Sequence, residues 1–170
     1  MEFKLRPWVY EDAHDIAQAI NNPKILNNLR DGIPYPYTKE DGLAFISETL
    51  SAPAGSQYSW AVEIEGKAAG SIGIFRQQNI HFRTAELGYY IAEPYWGQGI
   101  VSKAVKQACD IVFDTTDIIR IFAEPFAHNL ASCRVLEKAG FLREGLLRKN
   151  AVKNGAVIDM YMYSILADER

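Results

Sequence analysis

Residues 94–102, Pro94-Tyr95-Trp96-Gly97-Gln98-Gly99-Ile100-Val101-Ser102, set two glycines between a β-like run and a helix-like run. The run before them, Thr-Ala-Glu-Leu-Gly-Tyr-Tyr-Ile-Ala over residues 84–92, is the kind of sequence that forms a strand. The run after them, residues 101–113, carries apolar side chains at helical spacing. Glycine at such a junction lets the backbone turn tightly and lets a ligand approach without a Cβ in the way. The helix that follows begins with unpaired N–H groups and the positive end of its dipole, so the turn is an anion site suited to phosphate oxygens. Ser102 and Lys103 add a hydroxyl donor and a positive charge. A dinucleotide fingerprint would need Gly or Ala where Ser102 stands, and a Walker loop would need Gly-Lys-Ser/Thr after a four-residue gap, so both are excluded. A glycine turn alone is equally well explained as an ordinary loop, and the flanking sequence has to decide.

Toward the N-terminus, residues 3–6 read as a short strand and residues 10–20 as a helix with acidic residues in its first turn. Asn21-Asn22-Pro23 punctuates its end. Thr38 is placed to cap a second helix reaching Leu50, with Asp41 three residues on where Glu or Gln is usual. Residues 58–65 and 67–76 form β-like runs that meet at Glu65-Gly66. Toward the C-terminus, residues 118–124 suit a buried strand, and residues 130–139 suit a helix stopped by Gly140. Residues 142–147 and 156–166 read as a strand pair turning near Lys153-Asn154-Gly155. The order β-α-α-β-β-β-α-β-α-β-β implies a mixed sheet with helices on its faces, in one domain spanning residues 1–170.

Composition narrows the function classes. The chain is 48% hydrophobic and 23% charged, as an ordinary globular protein is. A net charge of −3 argues against a nucleic-acid binder, and no apolar stretch approaches the ~18 residues of a membrane span. The charged start Met-Glu-Phe-Lys-Leu-Arg-Pro lacks the apolar centre of a signal peptide, so the expected location is cytoplasmic. Cys109 and Cys133 lack metal or disulfide-framework spacing and read as buried small hydrophobes. His14, His81 and His128 are unclustered, so no metal site is expected.

Three stretches resemble the GNAT acetyltransferase superfamily, and within it the branch of ribosomal-protein N-terminal acetyltransferases (RimJ/RimL-like). They are Glu86-Leu-Gly-Tyr-Tyr-Ile-Ala-Glu-Pro-Tyr-Trp-Gly-Gln-Gly, then Asn129, Ser132 and Val135-Leu-Glu-Lys-Ala-Gly-Phe141, then Glu144-Gly-Leu-Leu-Arg148. Leu5-Arg6-Pro7 and Pro34-Tyr-Pro-Tyr-Thr38 also look like this branch, and the likeness covers essentially the whole chain. It implies an α/β (α+β) fold with a mixed, mostly antiparallel twisted sheet of about seven strands flanked by about four helices.

The resemblance also implies acetyl-CoA as donor and assigns roles. The amides of Gln98, Gly99, Ile100, Val101 and Ser102, with Lys103 nearby, would hold the pyrophosphate. Val101 stands where the superfamily has a small residue, and Trp96 fits the Tyr-Trp-Gly-Lys-Gly form of the branch. Ile91, Ala92 and Glu93, at the end of a strand that splays from its neighbour, would line the pantetheine arm. Asn129 would cap a helix and reach the pantetheine. Glu86 matches the usual general-base position, with a half-exposed strand glutamate as the alternative. The tyrosine that many members use to protonate the leaving thiolate falls on Leu136, so Ser132 becomes the expected hydrogen-bond donor to that thiolate. The acceptor would be a small-molecule amine or a protein N-terminus, and the likeness allows a homodimer. Trp8, Tyr35, Tyr37 and Trp60 either shape the acceptor pocket or pack the core, whereas Tyr161 and Tyr163 read as core. A domain that binds acyl-CoA without catalysis is the competing function, and Glu86 and Ser132 favour the enzyme over it. An RNA-associated structural role lacks the basic stripe it would need.

Overall fold

Strand β3 (Lys67–Arg76) is buried from Ala68 to Ile74, which requires cover on both faces of the sheet. In the computed structural model, which describes residues 1–170, that cover is two layers of helices. The sheet has seven strands: β1 (Lys4–Arg6), β2 (Gln57–Ile64), β3, β4 (Thr84–Ile91), β5 (Arg120–Ala123), β6 (Leu142–Lys153) and β7 (Ala156–Leu166). They lie in the order β1-β2-β3-β4-β5-β7-β6. Every neighbouring pair is antiparallel except β4 and β5. The helices are α1 (Ala13–Ile20), α2 (Pro23–Leu26), α3 (Lys39–Leu50), α4 (Ile100–Thr115) and α5 (Leu130–Lys138). None is long and apolar enough to cross a membrane.

The larger core joins Ile72, Ile74, Leu87 and Ile121 of the sheet to Val105, Cys109 and Val112 of α4 and Leu136 of α5. The smaller core sets Ala61 and Ala68 against Trp8, Ile16 and Ile46 beneath α1 and α3. Those two helices cross closely at Gly42, where an added Cβ would lie 2.7 Å from the Ala13 carbonyl oxygen. Cys109 and Cys133 are free and buried, and Tyr163 is fully buried, as their sequence settings indicated.

Two elements differ from the sequence expectation. There are five helices because Pro23 begins a short turn of its own. Asn22 Oδ1 accepts from the Lys24 amide at 3.0 Å, and proline at the first helical position costs no hydrogen bond. Strand β6 runs on to Lys153 because its register shifts twice against β7, between Arg143 and Gly145 and between Leu147 and Ala151. Such shifts hide a strand from a strict two-residue alternation. Thr38 caps α3 as expected, accepting from the Asp41 amide at 3.1 Å, while Asp41 accepts from the Thr38 amide at 2.8 Å.

The feature that positions the site is a fork. Strands β4 and β5 pair only at Thr84 with Arg120, Ala85 with Ile121 and Glu86 with Phe122. Beyond Glu86, β4 stays paired to β3 as far as Ile91, and its other edge is free.

Candidate active site

The free edge of β4 has a definite chemistry. The Ala92 amide donates to the Ala69 carbonyl at 2.8 Å. In an antiparallel ladder, alternate residues turn their N–H and C=O groups to opposite sides. The backbone groups of Leu87, Tyr89 and Ile91 therefore face the gap left by β5. Of the three residues expected at the end of this strand, Ile91 turns its amide to the gap, and its carbonyl accepts from Trp96 Nε1 at 2.9 Å. The Ala92 amide is committed to β3. The Glu93 carboxylate is held by Lys24 Nζ and Asn22 Nδ2, each at 2.6 Å, and these bonds, the lysine's first, lower its pKa.

The glycine turn leads from β4 into α4. Gly97 and Gly99 have φ of +74° and +72°. A side chain in that left-handed region costs about 1–2 kcal/mol, which explains the two glycines. No backbone carbonyl accepts from the amides of residues 97–102. Ile100 is buried, Val101 packs against the core, and Ser102 Oγ donates to the Gly99 carbonyl at 3.1 Å. Gln98 Nε2 donates to the Pro94 carbonyl at 3.2 Å, and Lys103 is exposed. The side chains of this turn are thus largely spoken for, and its free hydrogen-bonding capacity lies in backbone amides.

A cavity of about 830 Å³ occupies the fork and is lined by Glu86, Asn129 and Ser132, but not by residues 98–103. Asn129 Oδ1 accepts from the Ser132 amide at 3.2 Å, which caps α5. The hydroxyls of Ser132 and Tyr89 are 2.6 Å apart. Burial raises the pKa of Tyr89, so its hydroxyl keeps its proton and holds Ser132 in place. Leu136, fully buried, closes the cavity beside them.

The lining also carries an ionic group. Arg30, in the connector between α2 and α3, donates to Glu86 Oε1 at 2.9 Å and Oε2 at 2.8 Å, and to Glu124 Oε2 at 3.2 Å. Burial first, and then the charge of Glu86, raise the Glu124 pKa against the opposing pull of Arg30. A raised carboxylate pKa makes a better proton acceptor at neutral pH. The aromatic set stands aside from this cavity. Trp8 and Tyr37 are buried in the smaller core, Trp60 packs on the larger one, and Tyr35 is exposed.

Comparison with known proteins places the chain in a family. A family profile described as an acetyltransferase (GNAT) domain matches residues 2–142. The chain belongs to the GNAT acetyltransferase family. It is 28% identical over 169 residues to the uncharacterized N-acetyltransferase p20 of Bacillus licheniformis, covering 97% of this chain and 93% of that protein. Its fold is that of the ribosomal-protein-S5-alanine acetyltransferase of Vibrio fischeri, with a TM-score of 0.88, 24% identity and coverage of 99% of this chain and 95% of the other. It is also that of the Vibrio cholerae spermidine N-acetyltransferase in complex with CoA and spermine, with a TM-score of 0.81, 21% identity and coverage of 98% and 96%.

Acetyl-CoA is the donor of this acetyltransferase. The residues present suit it: unpaired amides at the start of α4 match a diphosphate, and the free edge of β4 matches the amides of an extended pantetheine. Arg30, Glu124 and Tyr89 were not among the residues singled out from sequence. In sequence Glu124 is only the end of a β-like run, and Arg30 is separated from Glu86 and Glu124 by 56 and 94 residues.

Proposed function

We propose that the enzyme acetylates a primary amine by direct attack on the thioester, with the carboxylate wall receiving the acceptor. The observation that carries this is the fork, whose single cavity is lined by Glu86 and Glu124 together with Ser132 and Tyr89. When bound, acetyl-CoA supplies an activated acetyl carbonyl and a thiolate leaving group. The amides of residues 98–102 hold its pyrophosphate, and those of Tyr89 and Ile91 hold its pantetheine. An amine reaches a protein mostly as an ammonium ion and must shed a proton before its lone pair can attack. Glu86 and Glu124 accept that proton, with Glu124 the better final holder because its pKa is raised. Ser132, kept in orientation by Tyr89, gives a hydrogen bond to the departing sulfur. A serine hydroxyl is too weak an acid to be more than a stabiliser there. Both a protein N-terminal α-amine and a small aliphatic amine satisfy this chemistry.

The test is turnover beside affinity. Glu124→Gln should lower kcat about 100-fold, the usual worth of a general base. Glu86→Gln should lower it less, and both should leave the calorimetric acetyl-CoA affinity within two-fold of wild type, roughly. Equal loss of affinity and turnover would mark the carboxylates as structural and overturn the reading.

A further inference from the structure

Two carboxylates in one cavity repel one another, and here a single guanidinium lies between them. The carboxylates are the more buried partners and the arginine the exposed one: the Glu86 and Glu124 side chains are each 21% exposed, whereas the Arg30 side chain is 61% exposed. The cavity wall also carries Asp31 and Glu48, and Arg30 is its sole basic residue. Asp31 is already matched by Lys153 Nζ at 2.7 Å. The connector is tied down near the arginine at Asp31 and by Asn27 to Asn154, so leaving the carboxylates requires only rotation of the Arg30 side chain.

We infer that Arg30 determines acceptor specificity by occupying the place that receives the acceptor's ammonium group, so that the acceptor enters only by displacing it. This rests on the acetyl-transfer reading above. A primary ammonium offers three donors in a smaller volume than a guanidinium, and two carboxylates can take all three. Exchange of one cation for another keeps both carboxylates paired, which a neutral ligand could not do. Once Arg30 has moved away, the ammonium passes one proton to the Glu124 carboxylate. The products are a neutral amine with a free lone pair and a carboxylic acid, and the net charge of the pair stays zero. With Arg30 in place, both Glu86 oxygens and one Glu124 oxygen are engaged, and cationic amines must compete for them. The arginine therefore selects for acceptors that arrive charged and raises the concentration at which they bind.

The probe is butylamine, a primary ammonium with no second functional group. In Arg30→Gln its KM, and its Kd by calorimetry on the CoA-saturated protein, should each fall about five-fold, the worth of one partly exposed charge-assisted pair. Added guanidinium ion should compete with butylamine in Arg30→Gln and raise its KM back toward the wild-type value. Arg30→Lys, which keeps a cation in place, should stay near wild type. A KM or Kd that rises in Arg30→Gln, or that is indifferent to guanidinium, would show that Arg30 organises the site and would overturn the inference. Should wild type bind acetyl-CoA but acetylate no amine, the proposed function falls. The calorimetric competition between butylamine and guanidinium would still decide the role of Arg30.

Discussion

Arg6 and Arg30 each hold two carboxylates, and their fates differ. Arg6 on β1 grips Asp12 through two bonds of 2.8 Å and also binds Glu63 across the strand pair. Its side chain is 17% exposed and that of Asp12 is 5% exposed. Arg30 makes the same kind of clamp on Glu86 and Glu124, but at the wall of a cavity and largely in solvent. Burial works against the Asp12 carboxylate, yet its hydrogen bonds to Arg6 and to the Val9 amide win and bring its pKa below the ordinary value. At Glu124 the balance falls the other way, and burial with the neighbouring Glu86 prevails over Arg30. A sealed clamp ties elements together. An open one leaves a carboxylate ready to take a proton and a cation ready to be exchanged.

This contrast can be broken by mutation, and the largest effect is expected at the sealed clamp. Arg6→Met leaves Asp12 buried without its partner and should cost about 3 kcal/mol in denaturant unfolding. A loss below about 1 kcal/mol would place Arg6 among ordinary surface pairs. Arg30→Gln should change unfolding stability by no more than about 1 kcal/mol while it alters acceptor binding. A loss as large as that of Arg6→Met would make the two clamps equivalent and erase the distinction. The smallest effects concern pH and have opposite signs. Because the Asp12 pKa is lowered on folding, the stability it contributes is present above its unfolded pKa and is lost as pH falls through its folded one. Because the Glu124 pKa is raised on folding, its ionised form is a burden at neutral pH that vanishes as pH falls through the raised value and the group protonates. Glu124→Gln should therefore raise the melting temperature at neutral pH, and the gain should fade in mild acid. A gain that persists in acid would refute the charge-based explanation.

The local geometry of the candidate donor side was readable in the sequence because its determinants are local. Two glycines with φ near +70°, the start of α4 directly after them and an asparagine cap each leave a mark within one short window. Asn129 caps α5, and Gly97 and Gly99 adopt the left-handed conformation that glycine best allows. The acceptor side was only partly readable. Glu86 could be picked out on its strand, but its partners come from an irregular connector and from the residue just past β5. Neither Arg30 nor Glu124 belongs to a pattern with a period, so only the folded chain brings them together. Tyr89 was hidden for another reason. In sequence it is one of several strand aromatics, and its role depends on a hydroxyl meeting Ser132 from 43 residues away. Asn21-Asn22-Pro23 does end α1 at Ile20, but the same proline also begins the short helix after Asn22, and a terminator pattern does not reveal that second role.

The central claim is that the fork between β4 and β5 joins a donor side built of backbone amides to an acceptor side built of charged side chains. Amide hydrogen exchange with and without acetyl-CoA tests it most directly. In the free protein the amides of Tyr89, Ile91 and residues 98–102 should exchange quickly, since they have no protein acceptor facing them. Acetyl-CoA should slow exchange at those positions and leave the already paired amide of Ala92 unchanged. Saturating acetyl-CoA that protects none of them, or that protects only residues outside the fork and the turn, would contradict the account.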